Sequence, residues 1–127
     1  MDLTPLIPAG RQIVESYGHG RFRVTGAVHS GSVIVFPDRT LPWAVAEAAE
    51  ATPENLQTVC EAGRAGTVEL LLLGCGAKMT LVPSSLRIVL RAAGVVIEPM
   101  DTGAACRTYN VLMADGRRVA AALIAVE

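Results

Sequence analysis

Basic residues never cluster in this chain, and lysine occurs once, at Lys78. With 11 Lys and Arg against 12 Asp and Glu, the formal net charge is −1. Phosphate backbones are bound through a positive footprint, so nucleic acid is not an expected partner. Nor is there a polybasic segment to read an anionic lipid surface. No stretch approaches the ~18–20 uninterrupted apolar residues that span a bilayer, which argues against direct membrane insertion. The opening Met1-Asp2-Leu3-Thr4-Pro5 has neither the charged and apolar regions of a secretory signal nor the Arg-rich amphipathic character of a transit peptide. Cys60, Cys75 and Cys106 form no CxxC and leave an odd count, a usage that fits a reducing compartment better than a disulfide framework. These absences lead to the expectation of a cytoplasmic protein. Internal repeats, low-complexity tracts and interdomain linkers are absent too.

What is present is apolar. The 127 residues are 51% hydrophobic and 18% charged, enough to bury a core without staples or metals. Pro5, Pro8 and Gly10 mark residues 1–11 as a flexible N-terminal arm, leaving a single α/β domain over 12–127. Ile13–Tyr17 reads as a short strand, Gly18-His19-Gly20 as a turn, and Phe22–Thr25 as a half-buried strand of period 2. Gly26 turns the chain into Ala27–His29, and Ser30-Gly31 leads into Ser32–Phe36, which Pro37 ends. These segments predict a meander of antiparallel strands. Asp38–Ala51 holds the sole tryptophan, Trp43, and shows no decisive period.

Thr52-Pro53-Glu54 combines a hydroxyl cap, a proline suited to the first helical position and an acid near the positive end of the dipole. It predicts a helix from there to Gly66, with Leu56, Val59, Cys60 and Gly63 on one face. The unbroken leucines of Leu70–Leu73 ask for cover on both faces, hence a central strand. After the loop Gly74–Val82, a second helix runs from Pro83 to Ala93 with Leu86, Val89, Leu90 and Ala93 as its apolar stripe and Gly94 as its cap. Val95–Glu98 is an edge strand, where the charge of Glu98 and the missing donor of Pro99 are tolerated. A third helix spans Gly103–Ala114, capped by Asp101 or Thr102. Asp115-Gly116 then turns the chain into a last strand, Val119–Val126, central and small enough at Ala120, Ala121 and Ala122 for a helix to approach closely. A meander followed by β-α-β-α-β predicts an α/β fold.

Gly74-Cys75-Gly76 sits where a strand gives way to a loop before a helix, the place where α/β sheets bind ligands. The dinucleotide fingerprint would need a third glycine where Met79 stands, and GxxxxGK[ST] is absent; a tight turn is the commoner reason for such a pair. Lys78 in this loop reads as a solvated cation before a catalytic amine. Cys75 and Cys106 are the candidate nucleophiles. Cys106 lies early in the third helix beside Arg107, where a helix start and a cation lower a thiol pKa, but it shares a face with Tyr109 and Met113, which favours packing. Neither His19 nor His29 is placed as its base. Asp101 reads first as a helix cap, and pairing it with Glu98 for acid/base work has no spacing to support it. Tyr109 and Asn110 either line a pocket or bury with their polar ends satisfied. No Cys/His/Asp cluster has metal-ligand spacing.

Tyr17-Gly18, Phe22, Gly26, Gly31-Ser32, Phe36-Pro37 and Trp43, then Leu72–Gly76, Met100-Asp101-Thr102, Ala105–Leu112, Gly116-Arg117 and Ala121–Ile124, carry a resemblance over nearly the whole chain from Tyr17 onward. The chain resembles a family of small uncharacterised bacterial and archaeal proteins. Relatives of that family include the mitochondrial respiratory complex I assembly factor 3 and an adipogenesis-associated human protein. The block Asp101–Leu112 is the most specific part. The resemblance implies a three-layer α/β fold, in which a central mixed five-stranded sheet is flanked by helices and a small extra β layer. It also implies a final strand antiparallel to its neighbours. Cys75 stands where the family often has threonine. Arg107 and Tyr109 stand where the mitochondrial relative has a small residue and a phenylalanine, so the resemblance assigns no obligatory role to that guanidinium or phenol.

Two functional expectations follow. The first, favoured by the resemblance and by the lack of a complete catalytic constellation, is a non-catalytic, cofactor-free binding or assembly factor. It would present a surface near the third helix and the Gly74–Val82 loop to protein partners in membrane-complex assembly. The second is a small-molecule site, or an enzyme, at the strand ends near Gly74–Gly76 and Asp101–Thr102. The candidate residues for either are Gly74, Cys75, Gly76, Lys78, Asp101, Thr102, Cys106, Arg107, Tyr109 and Asn110, with no oligomeric state implied.

Overall fold

A strand covered on both faces has no polar side to show, and Leu70–Gly74 (β6) is such a strand: Leu71, Leu72 and Leu73 are at most 2% exposed. In the computed structural model, which describes residues 10–127, β6 lies inside a five-stranded sheet. The other members are β4 (Val33–Val35), β5 (Thr40–Pro42), β7 (Val96–Met100) and β8 (Val119–Leu123). Their order is β5-β4-β8-β6-β7. The helices are α1 (Gln57–Arg64), α2 (Ser84–Ala92) and α3 (Thr102–Ala114). A separate antiparallel sheet holds β1 (Val14–Gly18), β2 (Arg21–Val24) and β3 (Ala27–Ser30). The arm expected over residues 1–11 lies, for residues 1–9, outside the described part of the chain.

Alternation along β6 and β8 divides the core. Leu71, Leu73, Ala120 and Ala122 pack with Leu56, Val59, Leu86 and Leu90 of the α1–α2 layer. Leu72, Ala121 and Leu123 pack instead with Phe22 and Val24 of the small sheet and with Ala105, Cys106, Tyr109 and Met113 of α3. Three layers result, as the resemblance implied. Burying a leucine in this way contributes about 1.5–3 kcal/mol, and the alanines of β8 let α3 lie close across β6 and β8.

Several expectations are corrected. The antiparallel meander holds for three strands only, because Val33, Ile34 and Val35 are all buried and need cover on both sides. They therefore join the large sheet, beside β8. The final strand is antiparallel to β4 but parallel to β6, since α3 is a crossover that returns the chain in the direction of β6 and β7. Asp38–Ala51 contributes β5 and a 3-10 turn at Ala48–Glu50. The first helix begins at Gln57 rather than Thr52. The Thr52 hydroxyl accepts from the Asn55 N–H at 3.2 Å, while the Asn55 side chain bonds the Thr52 N–H, the Glu50 carbonyl and the Trp43 indole. These bonds build a turn ahead of the helix. In α2, Val89 is 42% exposed and does not belong to the buried stripe of Leu86, Leu90 and Ala93.

β7 is the edge expected of it. Pro99 offers no N–H there, and the Ile97 carbonyl accepts from Arg87 Nη1 at 3.0 Å, so the edge is blunted against further strand pairing. The small sheet turns through His19-Gly20 and Thr25-Gly26, all four residues at positive φ, the geometry of two-residue hairpins. Thr25 tolerates it because its hydroxyl accepts from the Ile13 N–H at 2.8 Å.

Candidate functional site

The carboxyl ends of β6 and β8 and the start of α3 meet at Thr102, which is wholly buried. Its Oγ1 accepts from the Gly76 N–H at 2.9 Å and donates to the Ile124 carbonyl at 2.8 Å. Its own N–H donates to the Gly76 carbonyl at 2.8 Å. Alongside, Cys75 N–H donates to the Met100 carbonyl at 2.8 Å and Ile124 N–H to the Gly74 carbonyl at 2.9 Å. This lattice explains glycine at position 74: a Cβ there would stand 3.1 Å from both Leu123 Cδ2 and the Thr102 Cα. The Gly-x-Gly pair is a crossing point of strand ends. It does not open a helix either, since α2 starts only at Ser84, so the amide cluster that a phosphate loop aims from a helix N-terminus does not form here.

Asp101 is the cap of α3, its Oδ1 accepting from the Ala104 N–H at 2.9 Å. Two other side chains of α3 face the small sheet. Asn110 grips the backbone of Val14 twice, accepting from its N–H at 3.0 Å and donating to its carbonyl at 2.8 Å. The Tyr109 hydroxyl donates to the Gln12 carbonyl at 2.9 Å, and burial pushes the phenol pKa up. Burial likewise raises the Cys106 thiol to about 12, outweighing the opposing pull of Arg107. At neutral pH Cys106 is therefore a packed thiol rather than a thiolate. Arg107 is exposed. At Gly103 a Cβ would collide with the Tyr17 hydroxyl, so glycine lets the small sheet settle on the helix.

The structure thus brings Gly74, Cys75, Gly76, Asp101 and Thr102 together and sends Cys106, Tyr109 and Asn110 to another layer. Lys78 lies exposed in the loop beyond, flanked by Met79 and by Leu81, whose side chain is 82% exposed. Glu98 is exposed on the edge strand, while the Asp101 carboxylate is occupied with its helix.

One cleft of about 570 Å³ opens beside the strand ends, a size in the range of small-molecule sites. Cys75 and Gly76 line it together with Ala46–Ala49 and Ile124–Glu127; Asp101 and Thr102 do not. Its rim is fixed by Glu50, whose Oε1 accepts from the backbone of Ala46 at 2.9 Å and Glu47 at 2.8 Å. Cys75 Sγ is directed back at the Leu73 and Thr80 carbonyls, 3.5 and 3.8 Å away. Sequence reasoning missed the alanine-rich wall because alanines carry no chemical signature. It also missed the exposed Ile88 on α2, for which the signal was available: Ile88 falls outside the stripe of Leu86, Leu90 and Ala93.

Comparison with known proteins bears on this geometry. An uncharacterised protein of Rhodobacter capsulatus is 41% identical over 116 residues, covering 91% of this chain and 86% of that one. The NADH dehydrogenase (ubiquinone) 1 alpha subcomplex assembly factor 3 of Danio rerio is 30% identical over 112 residues. That match covers 88% of this chain but 63% of the relative, so the chain spans less than two thirds of it. A solved structure described as an outer membrane protein from Bartonella henselae superposes with a TM-score of 0.85 at 37% identity, covering 93% of this chain and 98% of that one. Residues 14–124, both sheets and all three helices included, match the family described as protein of unknown function (DUF498/DUF598), and the chain belongs to that family.

Proposed function

We propose that the chain is a non-catalytic factor that holds a protein partner during assembly of a membrane complex, working from the cytoplasm. The observation that carries this reading is the relation to assembly factor 3, which extends over 88% of the chain. The internal use of the polar groups supports it: Thr102, Tyr109, Asn110 and Asp101 all spend their hydrogen bonds on the fold. The exposed Met79 and Leu81 offer a contact surface on the loop before α2. No helix among the described residues is long and apolar enough to cross a membrane.

Deleting the gene and resolving membrane complexes on native gels tests the reading. The expected result is accumulation of a subcomplex with loss of the mature respiratory oxidoreductase, restored by the wild-type gene. Normal assembly, together with a tagged protein that recovers no subunit of any complex, would overturn it. A second reading, a small-molecule site, is favoured by the 570 Å³ cleft beside Cys75 and Gly76. It expects Ala48→Trp, which places a bulky ring in the cleft, to weaken stabilisation by a cognate metabolite in a thermal-shift screen. A metabolite library that stabilises neither form removes that reading.

A further inference from the structure

α2 buries Leu86 and Leu90 within its length and leaves an apolar outer face, with Ile88 67% and Val89 42% exposed. Single exposed apolar residues are ordinary. Here, however, five of the eight large apolar side chains exposed among the described residues (Met79, Leu81, Ile88, Val89 and Val96) fall within residues 79–96. Between α2 and the edge strand β7 lies a concave groove of about 190 Å³, lined by Arg87, Ile88, Arg91, Val95, Val96 and Ile97. That is smaller than the ~300–1,000 Å³ of a small-molecule pocket, and suits an apolar side chain inserted from a partner. Neither Arg87 nor Arg91 forms an ion pair among the described residues. α2 contains no acid, and Glu98 of β7 does not line the groove.

We infer that this groove docks an acidic amphipathic helix of a partner protein. An apolar side chain of the partner seats between Ile88 and Val96, and carboxylates one helical turn apart pair with Arg87 and Arg91. The arginines are themselves four residues apart on α2, about 5–6 Å, which matches an i, i+4 pair of carboxylates on a facing helix. Addition of a strand to β7 is disfavoured by Pro99 and by the Arg87 bond to the Ile97 carbonyl. An anionic membrane is disfavoured as well: two basic groups supply only ~1 kcal/mol each, and a concave surface does not lie flat on a bilayer. The inference rests on the protein-binding reading above and adds the surface and the chemistry of the partner.

Photo-crosslinking in the source organism tests it, with benzoylphenylalanine placed at Ile88 and, in separate strains, at Leu81 and Val28. The Ile88 adduct is expected on a protein segment carrying Asp or Glu four residues apart beside a large apolar residue. Arg91→Glu should lower its yield at least tenfold, and changing to lysine the one partner carboxylate that faces Arg91 should restore it. Thermal melts of Arg91→Glu should fall only slightly below wild type, because the Arg91 side chain is exposed and what is lost is its favourable charge in the last turn of α2. Adducts to lipid, to a second copy of this chain or to a segment without acids overturn the inference, as does a yield indifferent to Arg91→Glu. An adduct at Leu81 with none at Ile88 overturns the groove and leaves the assembly reading standing. No adduct at any position overturns the groove, and if membrane complexes also assemble normally in the deletion strain, both readings fall.

Discussion

Thr102→Val is the substitution that isolates the strand-end tie. Valine matches threonine in shape, so no cavity opens and no packing is lost. What disappears is one oxygen that accepts from the Gly76 N–H at 2.9 Å and donates to the Ile124 carbonyl at 2.8 Å. At a position with no solvent exposure, water does not replace it. The Gly76 amide loses its acceptor and the Ile124 carbonyl loses the hydroxyl that donates to it. Leaving a buried group unsatisfied costs ~1–3 kcal/mol, so the pair should cost about 2–5 kcal/mol, a large share of the ~5–15 kcal/mol that holds a domain folded. For a chain of this size that is a Tm lowered by roughly 6–20 °C. Urea denaturation followed by circular dichroism should show a lower midpoint at unchanged slope, and hydrogen exchange should show the Gly76 amide opening faster than its neighbours in β6. Thr102→Ser, which keeps the hydroxyl and loses a methyl, should cost only ~1 kcal/mol. If serine proves as damaging as valine, or valine costs under about 0.5 kcal/mol, the hydroxyl is not what joins these strands and the tie must lie in the backbone bonds alone.

The remaining predictions concern the layers around that tie. Asn110→Ala removes both bonds to Val14 and should cost about 1–3 kcal/mol, with exchange rising in β1 and β2 before the large sheet. Gly103→Ala drives a methyl into the Tyr17 hydroxyl; since Tyr17 is 42% exposed and able to swing away, the cost should be near 1 kcal/mol and largely absent in a Tyr17→Ala background. High pH should destabilise the fold. The Cys106 thiol is raised from its ordinary 9.0 to about 12 and Tyr109 is raised as well. The unfolded chain therefore gives up these protons first. Their stabilising effect is complete below pH ~9 and lost as pH climbs toward 12, at up to ~1.4 kcal/mol per pH unit for each group. Cys106→Ala should flatten the onset of that loss in denaturation series between pH 8 and 11. Leu71→Ala, at a side chain with no exposure, should cost ~2–5 kcal/mol.

Much of the scaffold is legible in the sequence. The four leucines of Leu70–Leu73 and the three alanines of Ala120–Ala122 required strands covered on both faces, and both are interior strands. Asp101 could be assigned as a cap because a carboxylate at a helix start has a local partner three residues on. Such readings succeed because propensity, capping and periodicity act over a few residues. Thr52 misled for a similar reason turned around: its hydroxyl does accept from Asn55, but Asn55 is also bonded to Trp43, which no local pattern announces.

The candidate site was less legible. By itself the sequence determined that β6 runs into Gly-Cys-Gly, that α3 opens with an acid and a hydroxyl, and that small residues fill β8. Tertiary structure alone decided that the Thr102 hydroxyl joins Gly76 to Ile124 and that Asn110 holds a strand 96 residues away. Only there do alanines from separate segments wall one cleft while α2 turns Ile88 outward. Hydrogen bonds and cavities belong to pairs of groups, and when folding brings the partners together from distant parts of the chain, no spacing along the sequence records the meeting.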